Sequence, residues 1–370
     1  MLKESAVTAA TVFGNEAGLS VPHLTVSVII ATYRRRALLC DTVRHILKQG
    51  YPHLEVIVVD QTEPGLGEGM DHDLLASVQY VRAAQPNLPR ARNLGLDRSH
   101  GAILLFCDDD IVPCQDWINA HARHYCDPQV TAVAGSETVG GSSRVDKSVQ
   151  RARWKGLIFR LLVLGQNIQA RLTGREVSGR VGNRIVARFS ASGAILHDWT
   201  VEGTGYVDFA KGCNMSFRRQ VFETVGRFDP RCTGREETDL FLRMKRASLR
   251  VLYDSSAAVL HLKSNTGGTR VADPAAHYRW LFDYEAYFFL KNFPWLYFPL
   301  FLARMLPEIA ACSRAVGWRA AEILWTSLAQ AGTAARQART NPELAGADHA
   351  CGKTSLAPAP HTTQHPGTLS

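Results

Sequence analysis

Two acidic clusters hold the residues best suited to chemistry: Asp108-Asp109-Asp110 and Glu236-Glu237-Thr238-Asp239. The first ends the run Gly101-Ala102-Ile103-Leu104-Leu105-Phe106, whose apolar continuity predicts a buried strand. A two-residue period puts Asp108 and Asp110 on the same side of its tip. Carboxylates so close together call for a cation, and oxygen ligation suits Mg2+ or Mn2+, ions that neutralise a departing diphosphate. The competing reading is a solvated acidic turn in which Asp109 or Asp110 caps the next helix. The second cluster opens an amphipathic helix containing Leu240, Phe241, Leu242 and Met244, and acidic residues also suit a first helical turn for purely structural reasons. Close to a metal site, one of its carboxylates could take the proton from an attacking hydroxyl.

The elements around these clusters set where they must lie. Val26 to Ala31 and Leu54 to Asp60 are β-branched runs of the kind that form parallel strands buried on both faces, with a helix predicted between them over Arg36 to Gln49. A short strand at Gln79 to Arg82, a helix at Pro89 to Ser99 and the strand leading to Asp108 continue the alternation, which predicts an α/β sheet with a largely parallel core. In such sheets ligands collect beyond the carboxyl ends of the strands, where Thr32, Asp60 and Asp108 to Asp110 fall. Further on, a helix is predicted over Trp117 to Cys126, a strand over Val130 to Gly135, a helix over Glu236 to Ala247 and a strand over Arg250 to Tyr253.

Composition narrows the classes. The 370 residues are 46% hydrophobic and 21% charged, as in a globular protein. A net charge of +8 favours anionic partners, but the basic residues from Arg144 to Arg188 lack the interleaved aromatics of a nucleic-acid module. The eight cysteines are scattered without zinc spacing, which favours a reducing, cytoplasmic setting. We divide the chain into a leader at 1–24, a catalytic domain at 25–265 with a variable acceptor-side insertion at 136–207, an aromatic amphipathic helical extension at 266–330 and a disordered tail at 331–370. Trp154 and Trp199 in the insertion are candidates either for stacking on a sugar or for packing. The uncharged run Asn292 to Ala303 is broken by Pro294 and Pro299 and is too short to span a bilayer as a helix, although it could lie on one.

In order along the chain stand Val-Ser-Val-Ile-Ile-Ala-Thr-Tyr-Arg-Arg at 26–35, Glu-Val-Ile-Val-Val-Asp at 55–60, Ala-Arg-Asn-Leu-Gly at 91–95 and Leu-Phe-Cys-Asp-Asp-Asp at 105–110. They are followed by Lys-Gly-Cys-Asn-Met-Ser-Phe-Arg-Arg at 211–219, Gly-Arg-Phe-Asp at 226–229 and Glu-Glu-Thr-Asp-Leu-Phe-Leu-Arg at 236–243. Together these resemble the family 2 glycosyltransferases, mostly inverting enzymes. The resemblance implies a GT-A-type nucleotide-binding sheet, mixed but mainly parallel, flanked by helices and here extended by C-terminal helices. It further implies transfer of a sugar from a nucleoside-diphosphate sugar to the hydroxyl of a glycan acceptor, expected in polysaccharide, glycolipid or cell-envelope glycan synthesis in the cytoplasm; the aromatic composition of the C-terminal helices separately suggests a lipid-linked acceptor at the inner face of the membrane.

Carried onto this sequence, the resemblance puts Thr32, Tyr33 and Arg35 in the nucleotide pocket and Asp60 on the base. Arg92 and Asn93 would lie near the nucleotide or donor sugar. Asp110 would be the metal ligand and Asp108 a ribose or metal contact, with Asp109 beside them. Glu237 falls where the family usually has an Asp as catalytic base, so Glu236 and Asp239 stay candidates with it. His261 could bind diphosphate or metal, or serve as a structural strand-end histidine. Two rival readings are a sugar nucleotidyltransferase, which expects a Gly-rich loop where Ala31 to Arg36 has no glycine, and a non-catalytic membrane-surface scaffold.

Overall fold

The computed structural model describes residues 24–140, 179–190, 193–264, 267–268 and 273–340. Its central sheet is built from β1 (Val26–Thr32), β2 (Leu54–Asp60), β3 (Gln79–Arg82), β4 (Ile103–Cys107), β5 (Ile111–Pro113), β6 (Val130–Val139), β7 (Thr204–Val207), β8 (Asn214–Arg218) and β9 (Arg250–His261). The order across the sheet is β7-β9-β6-β8-β4-β1-β2-β3, with β5 paired to β9. Strands β4, β1, β2 and β3 run parallel, whereas β8 runs antiparallel between β4 and β6. The expected mixed, mainly parallel sheet is therefore present.

Successive residues of β1 point to opposite faces, and both faces are covered, which is why its sequence is apolar without alternation. Val28 and Ile30 pack with Leu39, Val43 and Ile46 of helix α1 (Arg36–Leu47), together with Trp117 of α4 (Trp117–Ala122). The intervening Ile29 faces the other way, into a cluster with Phe106, Phe217 and Phe241. Two further helices lie between β2 and β4, α2 (His72–Ala76) and α3 (Leu88–Arg98), and α5 (Gln220–Val225) precedes α6 (Glu236–Arg246). Asn87 caps α3, its side chain accepting from the N–H of Arg90 at 3.0 Å.

After β9 come three long helices: α7 (Pro274–Asn292), α8 (Phe298–Val316) and α9 (Arg319–Thr340). Phe293-Pro294 ends α7, because proline disfavours helical geometry in the residue before it. The extension does not stop at 330. Helix α9 continues to Thr340 because Ala331, Ala335 and Ala338 recur at helical spacing and are buried in the same cluster as Phe282 and Phe289 of α7. The leader residues 1–23, the tail from 341 onward, Trp154 and the apolar stretch 157–164 lie outside the described residues.

A buried ionic network ties the extension to the sheet domain. Lys291 of α7 places its Nζ 2.7 Å from Asp229 and 2.9 Å from Asp239 of α6, and Tyr287 donates to Asp229 at 2.8 Å. Burial opposes ionisation of Asp239, but Lys291 and Arg243 outweigh it and hold its pKa well below the usual carboxylate range. Its stabilising effect is thus complete at neutral pH and is lost only in strong acid. Replacing Lys291 with Met should leave buried Asp229 without its cation and Asp239 with Arg243 alone, and destabilise the protein by about 3–5 kcal/mol in urea unfolding. A loss below about 1 kcal/mol would mean the pair is no more than a surface bridge.

Candidate active site

The site forms where β1, β2 and β4 end. Thr32 pairs with Asp60 in the β1–β2 register, and Cys107 is the last residue of β4, so all three chain ends share one edge. Past β1, Arg34 takes a left-handed conformation (φ 58) that turns the chain and brings Arg35 back over the acidic run. The Arg35 guanidinium lies 3.0 Å from Asp109 and 3.3 Å from Asp110. The 267–268 turn crosses the same arginine: Gly268 (φ +69) donates to the Tyr33 carbonyl at 3.1 Å, and a Cβ there would meet Arg35 Nη2 at 2.6 Å. Only glycine satisfies both constraints.

The three aspartates have distinct surroundings. Asp109 is buried, accepts from Thr32 Oγ1 at 2.7 Å, and has its pKa raised to about 6 by burial against the pull of Thr32 and Arg35. Asp110 is also buried, yet its pKa is lowered, because His261, the Ser264 N–H and Arg35 overcome desolvation. Asp108 is the accessible member, at 32% side-chain exposure.

His261 reaches them through strand pairing. It ends β9, where it stands opposite Ile111 of β5 on one side and Val139 of β6 on the other. Its Nε2 lies 3.0 Å from Asp110 Oδ1 and 3.8 Å from Asp108 Oδ2, while Nδ1 lies 2.6 Å from Glu137. Burial alone would lower the histidine, but Asp110, Cys213 and Glu137 raise it to about 12. Glu137 also pairs with Lys211, and these cations drive its pKa down to about 2 against burial.

The donor set at this edge could take a divalent cation. Asp110 Oδ1 is buried without a hydrogen-bond donor, its contact with His261 being ionic, and ligand atoms of Asp108, Cys213 and His261 lie within 4.8 Å of one another. Carboxylate oxygens with one imidazole suit Mn2+ or Mg2+, and Asp108, Asp110 and His261 are the residues that could hold such an ion. Glu137, 2.6 Å from Nδ1, would fix the tautomer that leaves Nε2 free for an ion. Changing Glu137 to Gln should weaken Mn2+ affinity about 10–100-fold by calorimetry, and unchanged affinity would show that the pairing only packs.

Two adjoining cavities meet at Asp108. One, of about 520 Å³, is lined by Thr32, Tyr33, Arg35, Asp108, Asp109, Asp110 and His261, with Gln61 and Lys263. The other, of about 200 Å³, is lined by Arg92, Lys211, Glu236 and Glu237. Asp108, Leu88, Thr233 and Trp280 belong to both. The arrangement can hold an anionic, cation-bound ligand in the larger space and a proton-bearing group in the smaller.

The acidic residues of α6 separate cleanly. Glu237 is half-buried at the second cavity and makes no hydrogen bond or ion pair among the described residues. Glu236 is buried and held by Arg92 at 2.7 Å; burial and Glu237 push its pKa up against that arginine. Asp239, named above as a candidate base, must be withdrawn, because it is fully buried on Lys291, Arg243 and Asn292 and lines neither cavity.

Two expected nucleotide contacts are likewise turned inward. Asp60 is fully buried and accepts from the N–H groups of Thr62 and Leu66, at 2.9 Å and 2.6 Å, and from the Tyr80 hydroxyl; it braces the loop after β2, leaving Gln61 to face the cavity. Asn93 exchanges hydrogen bonds with the backbone of Phe228, at 2.8 Å and 3.0 Å. Arg92 lies 3.6 Å from Asp108 and joins it to Glu236, so it supports both cavities from beneath. Trp199 packs against Phe209 and Tyr253 at 4% exposure, which settles it as a core residue. Glu137, Lys211 and Trp280 carry no assignment in the sequence reading. Lys211 stands within a quoted motif, and Trp280 among the aromatics of the extension, but Glu137 gives no local signal.

Residues 27–196 match the family model described as Glycosyl transferase family 2. Among characterised relatives, the succinoglycan biosynthesis protein ExoM of Rhizobium meliloti is 30% identical over 138 residues, which cover 35% of this chain and 42% of that protein. The pre-mycofactocin glycosyltransferase of Mycobacterium tuberculosis is 28% identical over 171 residues, covering 46% of this chain and 29% of that one. The chain thus spans less than half the length of these relatives. Among solved structures, GalNAc-T7 with UDP, GalNAc and Mn2+ aligns with a TM-score of 0.49 and 14% identity over 73% of this chain and 51% of that one. A mannosyltransferase, PcManGT from Pyrobaculum calidifontis, in complex with GDP-Man and Mn2+, aligns with a TM-score of 0.46 and 18% identity over 86% and 88%.

Proposed function

We propose that this chain, whose residues 27–196 match the glycosyl transferase family 2 model, transfers a sugar from a nucleoside-diphosphate donor to an acceptor hydroxyl with inversion at the anomeric carbon. The observation that carries this reading is the junction at Asp108, where a cation-ready cavity meets one holding an unengaged carboxylate. The nucleoside would lie against Thr32, Tyr33 and Gln61, and its diphosphate near Arg35 and Lys263.

Mg2+ or Mn2+ bound by Asp108, Asp110 and His261 would supply charge neutralisation for the departing diphosphate. Glu237 accepts the proton of the acceptor hydroxyl as its oxygen forms the bond to the anomeric carbon. The bond from that carbon to the diphosphate breaks, and its electron pair leaves with the nucleoside diphosphate. Arg92 and Lys211 keep Glu236 and Glu137 paired, so that Glu237 alone is available to the acceptor. The seven cysteines of the described region are all free, which suits a reducing, cytoplasmic setting for the reaction. The acceptor fits a glycan or lipid-linked glycan in envelope or polysaccharide synthesis.

Thermal shift against a panel of nucleotide sugars, with and without Mn2+, tests the reading. A matching donor at about 100 times its Kd should add about 2.7 kcal/mol of stability only when Mn2+ is present. No stabilisation by any donor, with or without metal, would favour a scaffold on the same fold.

A further inference from the structure

The outward face of α8 is apolar where a solvated helix should carry charge. From the turn before it to its third quarter, the exposed positions are Pro294, Trp295, Leu296, Pro299, Ala303, Leu306, Pro307 and Ala310. Their three- and four-residue spacing makes one continuous stripe without a charged side chain. The opposite face holds Phe301, Met305 and Cys312 in the core of the extension, and Arg304 pairs inward with Glu285 at 2.7 Å. Trp295 is 68% exposed, Leu296 81% and Leu306 60%, so large apolar side chains stand in water along the whole stripe.

Charge is present only around the stripe. At its far end, exposed Arg314 and Arg319 flank Trp318, which is 81% exposed, and neither arginine has an acidic partner among the described residues. At its near end, Trp295 and Phe298 face Trp325 and Leu328 of α9 across a groove of about 590 Å³ that also includes Arg336 and Arg339. Tryptophans and apolar side chains bordered by arginines match the boundary between lipid headgroups and acyl chains. Trp295–Val316 is long and apolar enough by length and composition to cross a bilayer, but Phe301, Met305 and Cys312 hold one side of α8 in the core of the extension, which favours an orientation in the plane of the interface.

We propose that α8 and the adjoining α9 groove form a docking surface for an anionic lipid bilayer, with the helix lying in the plane of the interface. The surface stands on the helical extension alone and does not depend on the transfer reaction.

Flotation of the full chain tests it with vesicles of phosphatidylcholine alone or mixed with phosphatidylglycerol. The wild type should float with the mixed vesicles and much less with the neutral ones. The double variant Leu296→Glu/Leu306→Glu should partition at least about tenfold more weakly, with its unfolding temperature unchanged because both positions are exposed. Arg314→Glu/Arg319→Glu should lose the preference for phosphatidylglycerol and keep residual binding. Wild-type protein that stays at the bottom with both vesicles would overturn the proposal, as would a Glu double variant that floats like the wild type. Sedimentation of the unbound protein as a dimer that the Glu double variant converts to monomer, without flotation, would assign the stripe to a second copy of the chain instead.

Discussion

Glu237→Gln is expected to lower the rate of transfer by about 10²–10⁴-fold while leaving donor affinity and Mn2+ affinity unchanged. The substitution keeps shape and removes only the ability to accept a proton. Glu237 borders the smaller cavity with no hydrogen bond or ion pair among the described residues, so the change breaks no contact seen there. The neighbouring Glu236→Gln makes the control. It breaks the charge pairing with Arg92 at 2.7 Å, and its expected phenotype is lower stability accompanied by weaker activity. Single-turnover transfer and donor titration separate the two outcomes. A Glu237→Gln enzyme turning over at the parental rate would sink the base assignment.

Asp110→Ala is the second large effect, and its signature is different. It removes a buried carboxylate whose Oδ1 has no hydrogen-bond donor and whose Oδ2 accepts from the Ser264 N–H at 3.1 Å. Mn2+ affinity should fall at least about 100-fold, and the Mn2+-dependent part of donor stabilisation should vanish. Arg35 still pairs with Asp109 in this variant, so the loop after β1 keeps its anchor and the apo protein should remain folded. Metal titration followed by calorimetry reads this without any turnover. Retained Mn2+ affinity with lost activity would move the metal away from Asp110.

The sheet and its ligand edge were legible because their signals are local. Apart from Ser27 and Glu55, β1, β2 and β4 are apolar up to their last residues, a pattern that burial on both faces explains, and each leads to a polar residue at the edge. The roles within the acidic clusters were not legible, since they depend on which cation arrives from elsewhere. Glu236 and Asp239 look equivalent to Glu237 in sequence, yet Arg92 comes to the first across 144 positions and Lys291 to the last across 52. The same holds for Glu137, whose place beside His261 follows from the β6–β9 pairing. Asp60 was misjudged for a subtler reason: a carboxylate at a strand end can serve the next loop as readily as a ligand, and the Tyr80 and Leu66 donors that claim it lie on other segments. The end of α9 was hidden because alanines at 331, 335 and 338 do not register as an apolar stripe, although small side chains are what a close helix contact selects.

The path from α7 to the active site has a practical meaning. Glu285 of α7 accepts from Arg235 at 2.6 Å, and Arg235 immediately precedes the helix bearing Glu236 and Glu237. Trp280 of the same helix borders both cavities and donates to Thr233 at 3.0 Å. Helix α7 is therefore a wall of both cavities, and under the proposed function the family-matched segment alone would lack it. A chimera that exchanges acceptor specificity between two such proteins must carry α7 across with the sheet domain to which it is fitted, or it will bring a base whose aim was set by another partner.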